Sequence, residues 1–209
     1  QLNERGKLLE IEPAGSKLGQ IYGLAVVTDP YSGEMTGNVL SVKAQMVKRS
    51  EVNRSYPLQG YYKVTGVAKG KHDTFISDSI AKVRSVILHK YGVDIAQDFL
   101  THIDFSQAYG VDGPSAGVTM TILLCSLIEG RPVRQDVAVT GEINLGVGEQ
   151  IMVTAVGGLY EKIKAAEAWG FKKVVVPQKN FEHSIDVKDY QIEVVSSKTL
   201  DDYLKECLA

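Results

Sequence analysis

With 209 residues, 44% of them hydrophobic, the chain is long enough to bury a substantial core. Its formal net charge is only -2, with acidic and basic residues interspersed, so composition gives no reason to expect nucleic acid or an anionic membrane as the main partner. No apolar run approaches the roughly 18 residues of a spanning helix, and "QLNERGKLLE" has no signal-peptide pattern. Cys125 and Cys207 have no spacing motif, which fits reduced thiols and a cytoplasmic location. A chain that starts at Gln1 reads as part of something larger, with residues 1–18 as a junction or extension.

In chain order, "IYGLAVVTD" is β-prone, "PYSGEMTGN" is turn-rich, and "VLSVKAQMV" alternates like a half-buried strand. A further strand is expected near "YYKVTGVA". Ile76, Ile80, Val83 and Ile87 recur at helical spacing, and Gly92 follows as a C-terminal stop. A strand at "DFLTHIDF" leads into "YGVDGPSAGVTM", where Pro114 suits the first turn of a helix that runs on, almost wholly apolar, to Gly130. "DVAVTGEI" reads as one strand, "NLGVGEQIMV" as an irregular hairpin, and "VGGLYEKIKAAEAWG" as a helix closed by Gly170. "KKVVVP" and "YQIEVVS" are strands, and a last helix covers Leu200 to Leu208. The order predicts one α+β domain over 1–209, with a strand-rich first half and a mixed second half.

Several chemistries can be set aside. "GVAKGKH" has three residues between its glycines and His72 after the lysine, so it lacks the spacing of a phosphate-binding loop, and no dinucleotide fingerprint is present. His72, His89, His102 and His183 are scattered without metal-ligand spacing. His102 on its strand reads as a structural histidine. A serine, histidine and aspartate triad stays open, because its members can lie far apart in sequence.

Ser115, between a proline and two small residues, can either open a buried helix or act as a nucleophile. A lysine serves as its base if burial makes a neutral amine available near neutral pH. On the helix from Gly157 to Trp169, Lys162 falls within roughly 60° of Leu159, Ala166 and Trp169, on the apolar face. Lys164 falls on the polar face with Glu161 and Glu167. An ammonium on a packed face is costly unless paired or neutral, although a lysine snorkelling from the edge of such a face is common.

Taken together and in this order, "DGPSAGVTM", "RPVRQDVAVTGEI" and "VGGLYEKIKAAEAWGFKKVVVP" resemble the proteolytic domain of Lon, an ATP-dependent protease of peptidase family S16, over about Ile21 to the C-terminus. "LTHIDF" keeps His102 but has Asp104 near the second histidine of long-form bacterial members, so the likeness leans to the archaeal-like or Lon-like branch. It implies a ribosomal protein S5 domain 2-like fold and a serine endopeptidase acting on unfolded polypeptide. Ser115 matches the nucleophile of the PSAG motif, and Lys162 matches the lysine after glutamate in GG-x-x-E-K. Asp112 matches an acidic position that approaches the lysine in some members, and Thr140 a threonine whose hydroxyl lies near it. Gly113 and Pro114 complete the turn whose backbone N–H groups are candidates to stabilise an oxyanion.

The resemblance further implies a homo-oligomeric ring of six in the full protein. No cofactor is expected in this chain, with ATP and Mg confined to a separate ATPase module. The stretch before "VGG" is longer than is usual in the family, and a lengthened hairpin is expected to absorb it. The competing expectation is a non-catalytic assembly module, as in RadA-type DNA-repair proteins, where the nucleophile is absent. Retention of both Ser115 and Lys162 favours the enzyme.

Overall fold

The computed structural model describes residues 11–52, 61–67, 73–105, 114–146, 150–184 and 189–209. In chain order the first half has β1 (Ser16–Lys17), β2 (Gln20–Thr28), β3 (Met35–Lys48), β4 (Tyr61–Thr65), α1 (Asp73–Tyr91), β5 (Phe99–Phe105) and α2 (Gly117–Glu129). The second half has β6 (Val133–Arg134), β7 (Val137–Val139), β8 (Glu142–Asn144), β9 (Met152–Thr154), α3 (Leu159–Ala168), β10 (Lys173–Pro177), α4 (Gln178–Ser184), β11 (Glu193–Ser197) and α5 (Leu200–Cys207). Among the described residues this is a mixed α/β fold with five α-helices.

One seven-stranded mixed sheet joins the two halves, in the order β11-β10-β7-β2-β3-β5-β4. β11, β10, β7 and β2 run parallel, β3 is antiparallel to both β2 and β5, and β4 is parallel to β5. The halves are thus interleaved: β7 inserts beside β2, pairing Ala138 with Tyr22 and Val139 with Gly23.

Neighbouring residues on a strand point to opposite faces, so the apolar runs of β2 and β10 supply two cores at once. On one face Ile21, Ala25, Leu40, Val42, Ile103 and Phe105 pack with α1, α2 and α5, including Val83, Ile87, Ile122, Leu123 and Leu204. On the other face Tyr22, Leu24, Val39, Ala138, Val174 and Val176 pack under α3 through Leu159, Ile163 and Ala166. Burying each large aliphatic side chain contributes about 1.5–3 kcal/mol, which explains why α2 can be apolar nearly all round.

The helix stops follow the residues expected to make them. Gly92, Gly130 and Gly170 have φ of 68°, 65° and 82°, the left-handed region open to glycine. Thr199 opens α5 with a reciprocal capping box to Asp202.

Four local readings change. β3 starts at Met35, so the turn-rich segment contracts to a tip at Asp29–Glu34, where the Asp29 carboxylate accepts from the Tyr31 and Ser32 N–H groups. The helix after Pro114 begins as a 3-10 turn, Pro114–Ala116, before α2 proper. The single strand expected over "DVAVTGEI" is broken at Thr140 and Gly141 into β7 and β8. The chain leaves the large sheet there and enters the β8–β9 hairpin, whose register pairs Glu142 with Thr154. The short elements β1, β6 and α4 had no expected counterpart, and no helix among the described residues is long and apolar enough to cross a membrane.

Candidate active site

The break after β7 is the centre of the site. Thr140 is fully buried, and each of its polar groups is held. Its N–H donates to the Val175 carbonyl (3.2 Å), its carbonyl accepts from the Tyr203 hydroxyl (2.9 Å), and its Oγ1 accepts from Lys162 Nζ (3.2 Å). Gly141, next along, ties the break to the turn that opens α2: its N–H donates to the Ser115 carbonyl (3.4 Å), and its own carbonyl accepts from the Val118 N–H (3.2 Å). Ser115 and Lys162, which lie on elements packed against opposite faces of the sheet, are thereby both fastened to two consecutive residues.

Three glycines make this proximity possible. A Cβ on Gly141 would sit 2.5 Å from Val153 Cγ1 and 3.1 Å from the Tyr203 hydroxyl. One on Gly117 would sit 2.9 Å from Ser79 Oγ and 3.2 Å from the Ile143 nitrogen, so the second glycine of "GPSAG" lets α2 start against α1 and β8. One on Gly37 of β3 would lie 1.9 Å from the Glu161 carbonyl oxygen, so α3 rests directly on the strand one residue before Lys162. The segment entering α3 is clamped as well. The Asn180 amide donates to the Val156 carbonyl (2.7 Å) and accepts from the Val156 N–H (2.9 Å), as a neighbouring strand would.

Lys162 is 2% exposed and has no acidic partner among the described residues. Burial alone pulls its pKa from 10.5 down to about 8, because the apolar surroundings disfavour the ammonium. Two positions on, Lys164 behaves oppositely: it pairs with Glu167 (3.1 Å) and lies near the rings of Tyr160 and Tyr190. The helical-face distinction between these lysines is therefore realised in the packing.

Of the other residues singled out from the sequence, Pro114 opens the 3-10 turn, while Asp112 and Gly113 lie outside the described residues. His102 is held by the Thr65 hydroxyl (2.8 Å), which donates to Asp104 (2.5 Å), a local polar cluster across β4 and β5. Cys125 and Cys207 are buried free thiols. Tyr203 and Asn180 escaped the sequence reading. An Asn shortly after the β10 proline and a Tyr in an amphipathic last helix are ordinary residues until the fold brings them to Val156 and Thr140.

The chemistry available here is that of a buried amine with its pKa lowered to about 8 and held by the Thr140 hydroxyl, with the Ser115 backbone fastened to the next residue. Residues 9–209 match the Lon protease (S16) C-terminal proteolytic domain. The chain belongs to that family. It is similar to the archaeal Lon protease of Methanothermobacter thermautotrophicus, 31% identical over 98% of this chain and 29% of the relative. It is also similar to that of Thermoplasma acidophilum, 34% identical over 93% of this chain and 28% of the relative. The Lon protease of Azorhizobium caulinodans is 33% identical over 88% of this chain and 21% of its own length. The chain thus spans less than a third of the curated Lon relatives it matches.

Proposed function

We propose that this chain is a serine endopeptidase in which Ser115 is the nucleophile and Lys162 its general base. The observation that carries the reading is Lys162 itself: a cation buried without an acidic partner among the described residues is a standing cost, and the same burial makes its neutral form accessible near pH 8. Ser115 Oγ attacks the scissile carbonyl as Lys162 Nζ takes its proton. The resulting ammonium donates that proton to the leaving amine, and water repeats the sequence on the acyl-enzyme.

Thr140 has a definite part in this cycle. Its Oγ1 fixes one N–H of the amine, which restricts the directions open to the lone pair, and it offers the ammonium an acceptor where no carboxylate among the described residues does. Backbone N–H groups of the turn at Gly113–Ser115 stabilise the oxyanion, and Asp112 adjusts the lysine. The domain fold is of the ribosomal protein S5 domain 2-like kind. The substrates are unfolded or damaged polypeptides, delivered in the whole cytoplasmic protein by an ATP- and Mg-dependent ATPase module within a ring of six. A RadA-type assembly role has no use for a buried lysine at this place.

The test is hydrolysis of casein or a fluorogenic peptide by the wild type, Ser115→Ala and Lys162→Ala, together with fluorophosphonate labelling of Ser115. The wild type is expected to be labelled and both variants to lose hydrolysis by at least about a thousandfold. Variants that match an active wild type, or a wild type that is never labelled, refute the assignment.

A further inference from the structure

α5 contributes to the sheet-face core through Leu200, Leu204 and Cys207, three residues that need nothing beyond apolar contact. Tyr203 lies on the same buried face but carries a hydroxyl, and it is 0% exposed. A phenol buried to that extent needs a partner, and its partner is the carbonyl of Thr140, 63 positions away in sequence. The contact falls one residue past the end of β7, where the chain turns away from the large sheet. With the Thr140 N–H held by Val175 on β10, the tyrosine completes a two-point grip on the residue whose side chain receives Lys162. The hydroxyl also lies 3.1 Å from where a Cβ on Gly141 would be, so it abuts the residue that bonds the Ser115 carbonyl.

We infer that Tyr203 is a positioning residue for the dyad, setting the direction in which Thr140 Oγ1 holds Lys162 Nζ. This rests on the reading of Lys162 as the base. The phenol takes no part in proton transfer, since burial raises its pKa well above the ordinary tyrosine value and its proton is committed to the carbonyl. Without the hydroxyl the Thr140 peptide is free to tilt, and Oγ1 loosens from the amine. An acceptor at Oγ1 favours the ammonium, so loosening it lowers the lysine pKa further. The base would then be misdirected and its protonation curve displaced, whereas simple loss of folded protein would leave the curve where it was.

The experiment measures the rate of fluorophosphonate labelling of Ser115 against pH for the wild type, Tyr203→Phe, Thr140→Val and the double variant, with melting curves to correct for folded fraction. This readout needs no ATPase module. Tyr203→Phe is expected to label about tenfold more slowly at its optimum. Its rising limb should move to lower pH by about half a unit. On the Thr140→Val background, where Oγ1 is already missing, the Phe substitution should change neither quantity. Wild-type rate and limb in Tyr203→Phe, or an equal loss on both backgrounds, overturns the inference. The reading of Lys162 fails separately, if Lys162→Ala labels like the wild type.

Discussion

Replacing Lys162 by methionine should make the protein more stable near neutral pH and abolish its activity. Met keeps most of the aliphatic stem but removes the buried amine. A pKa that falls from 10.5 to about 8 on folding corresponds to about 3 kcal/mol, carried by the folded state whenever the lysine must be charged in both states. Below pH 8 that whole penalty is present. Between pH 8 and 10.5 the unfolded chain still binds the proton that the folded chain has released, so native stability rises with pH and the penalty fades; above 10.5 it is gone.

Against this gain stands the lost hydrogen bond to Thr140 Oγ1, about 1 kcal/mol. The net expectation for Lys162→Met is about 2 kcal/mol of added stability at pH 6, a rise of roughly 4–8 °C in melting temperature for a chain of this size. The advantage should shrink through pH 9 and reverse slightly near pH 11. Urea titrations at pH 6, 8 and 10.5 measure it directly. A variant less stable than the wild type at pH 6, or a difference independent of pH, would refute the idea that burial strains this lysine.

Three other outcomes follow from the same geometry. Peptide hydrolysis should rise with pH along a limb centred near 8, because only the neutral form of Lys162 accepts a proton, and a limb centred near 6.5 in the rate profile would point to a histidine instead. Gly37→Ala places a methyl 1.9 Å from the Glu161 carbonyl and should lower the melting temperature by roughly 5–10 °C, with loss of Ser115 labelling as α3 lifts. Asn180→Ala leaves both backbone groups of Val156 without their partner and should cost about 1–3 kcal/mol in urea titration, and Asn180→Asp, which sets a carboxylate oxygen against the Val156 carbonyl, should not recover that loss.

The parts of the fold that were legible in the sequence are those with a local cause. β-branched runs gave β2 and β10, apolar residues at helical spacing gave α1, and glycines with positive φ ended three helices where expected. The break between β7 and β8 was not legible, because β-prone residues lie on both sides of a single Gly-Glu pair in "VAVTGEI" and such a pair does not by itself end a strand. What interrupts it is tertiary: the Gly141 N–H goes to Ser115 and the Thr140 carbonyl to Tyr203. The two-residue strands β1 and β6 fall below any periodicity, and their pairing is set by chain segments more than a hundred residues apart. At the site, helical periodicity alone distinguished Lys162 from Lys164, whereas Thr140 rested on family likeness alone. Tyr203 had no signal at all, since its importance lies in a hydrogen bond between distant parts of the chain.

The fastening of Ser115 and Lys162 to Thr140 and Gly141 has a consequence for biosynthesis. The pieces come from four stretches of chain, near residues 115, 140, 162 and 203, and a ribosome delivers them in that order. When α2 and its serine have emerged, the amine has yet to be made; when α3 has emerged, the Thr140 carbonyl still lacks the phenol on α5. The two-sided grip on the Thr140 peptide is therefore complete only once α5 has been made and has docked, so the order of synthesis makes this the final contact of the four to form.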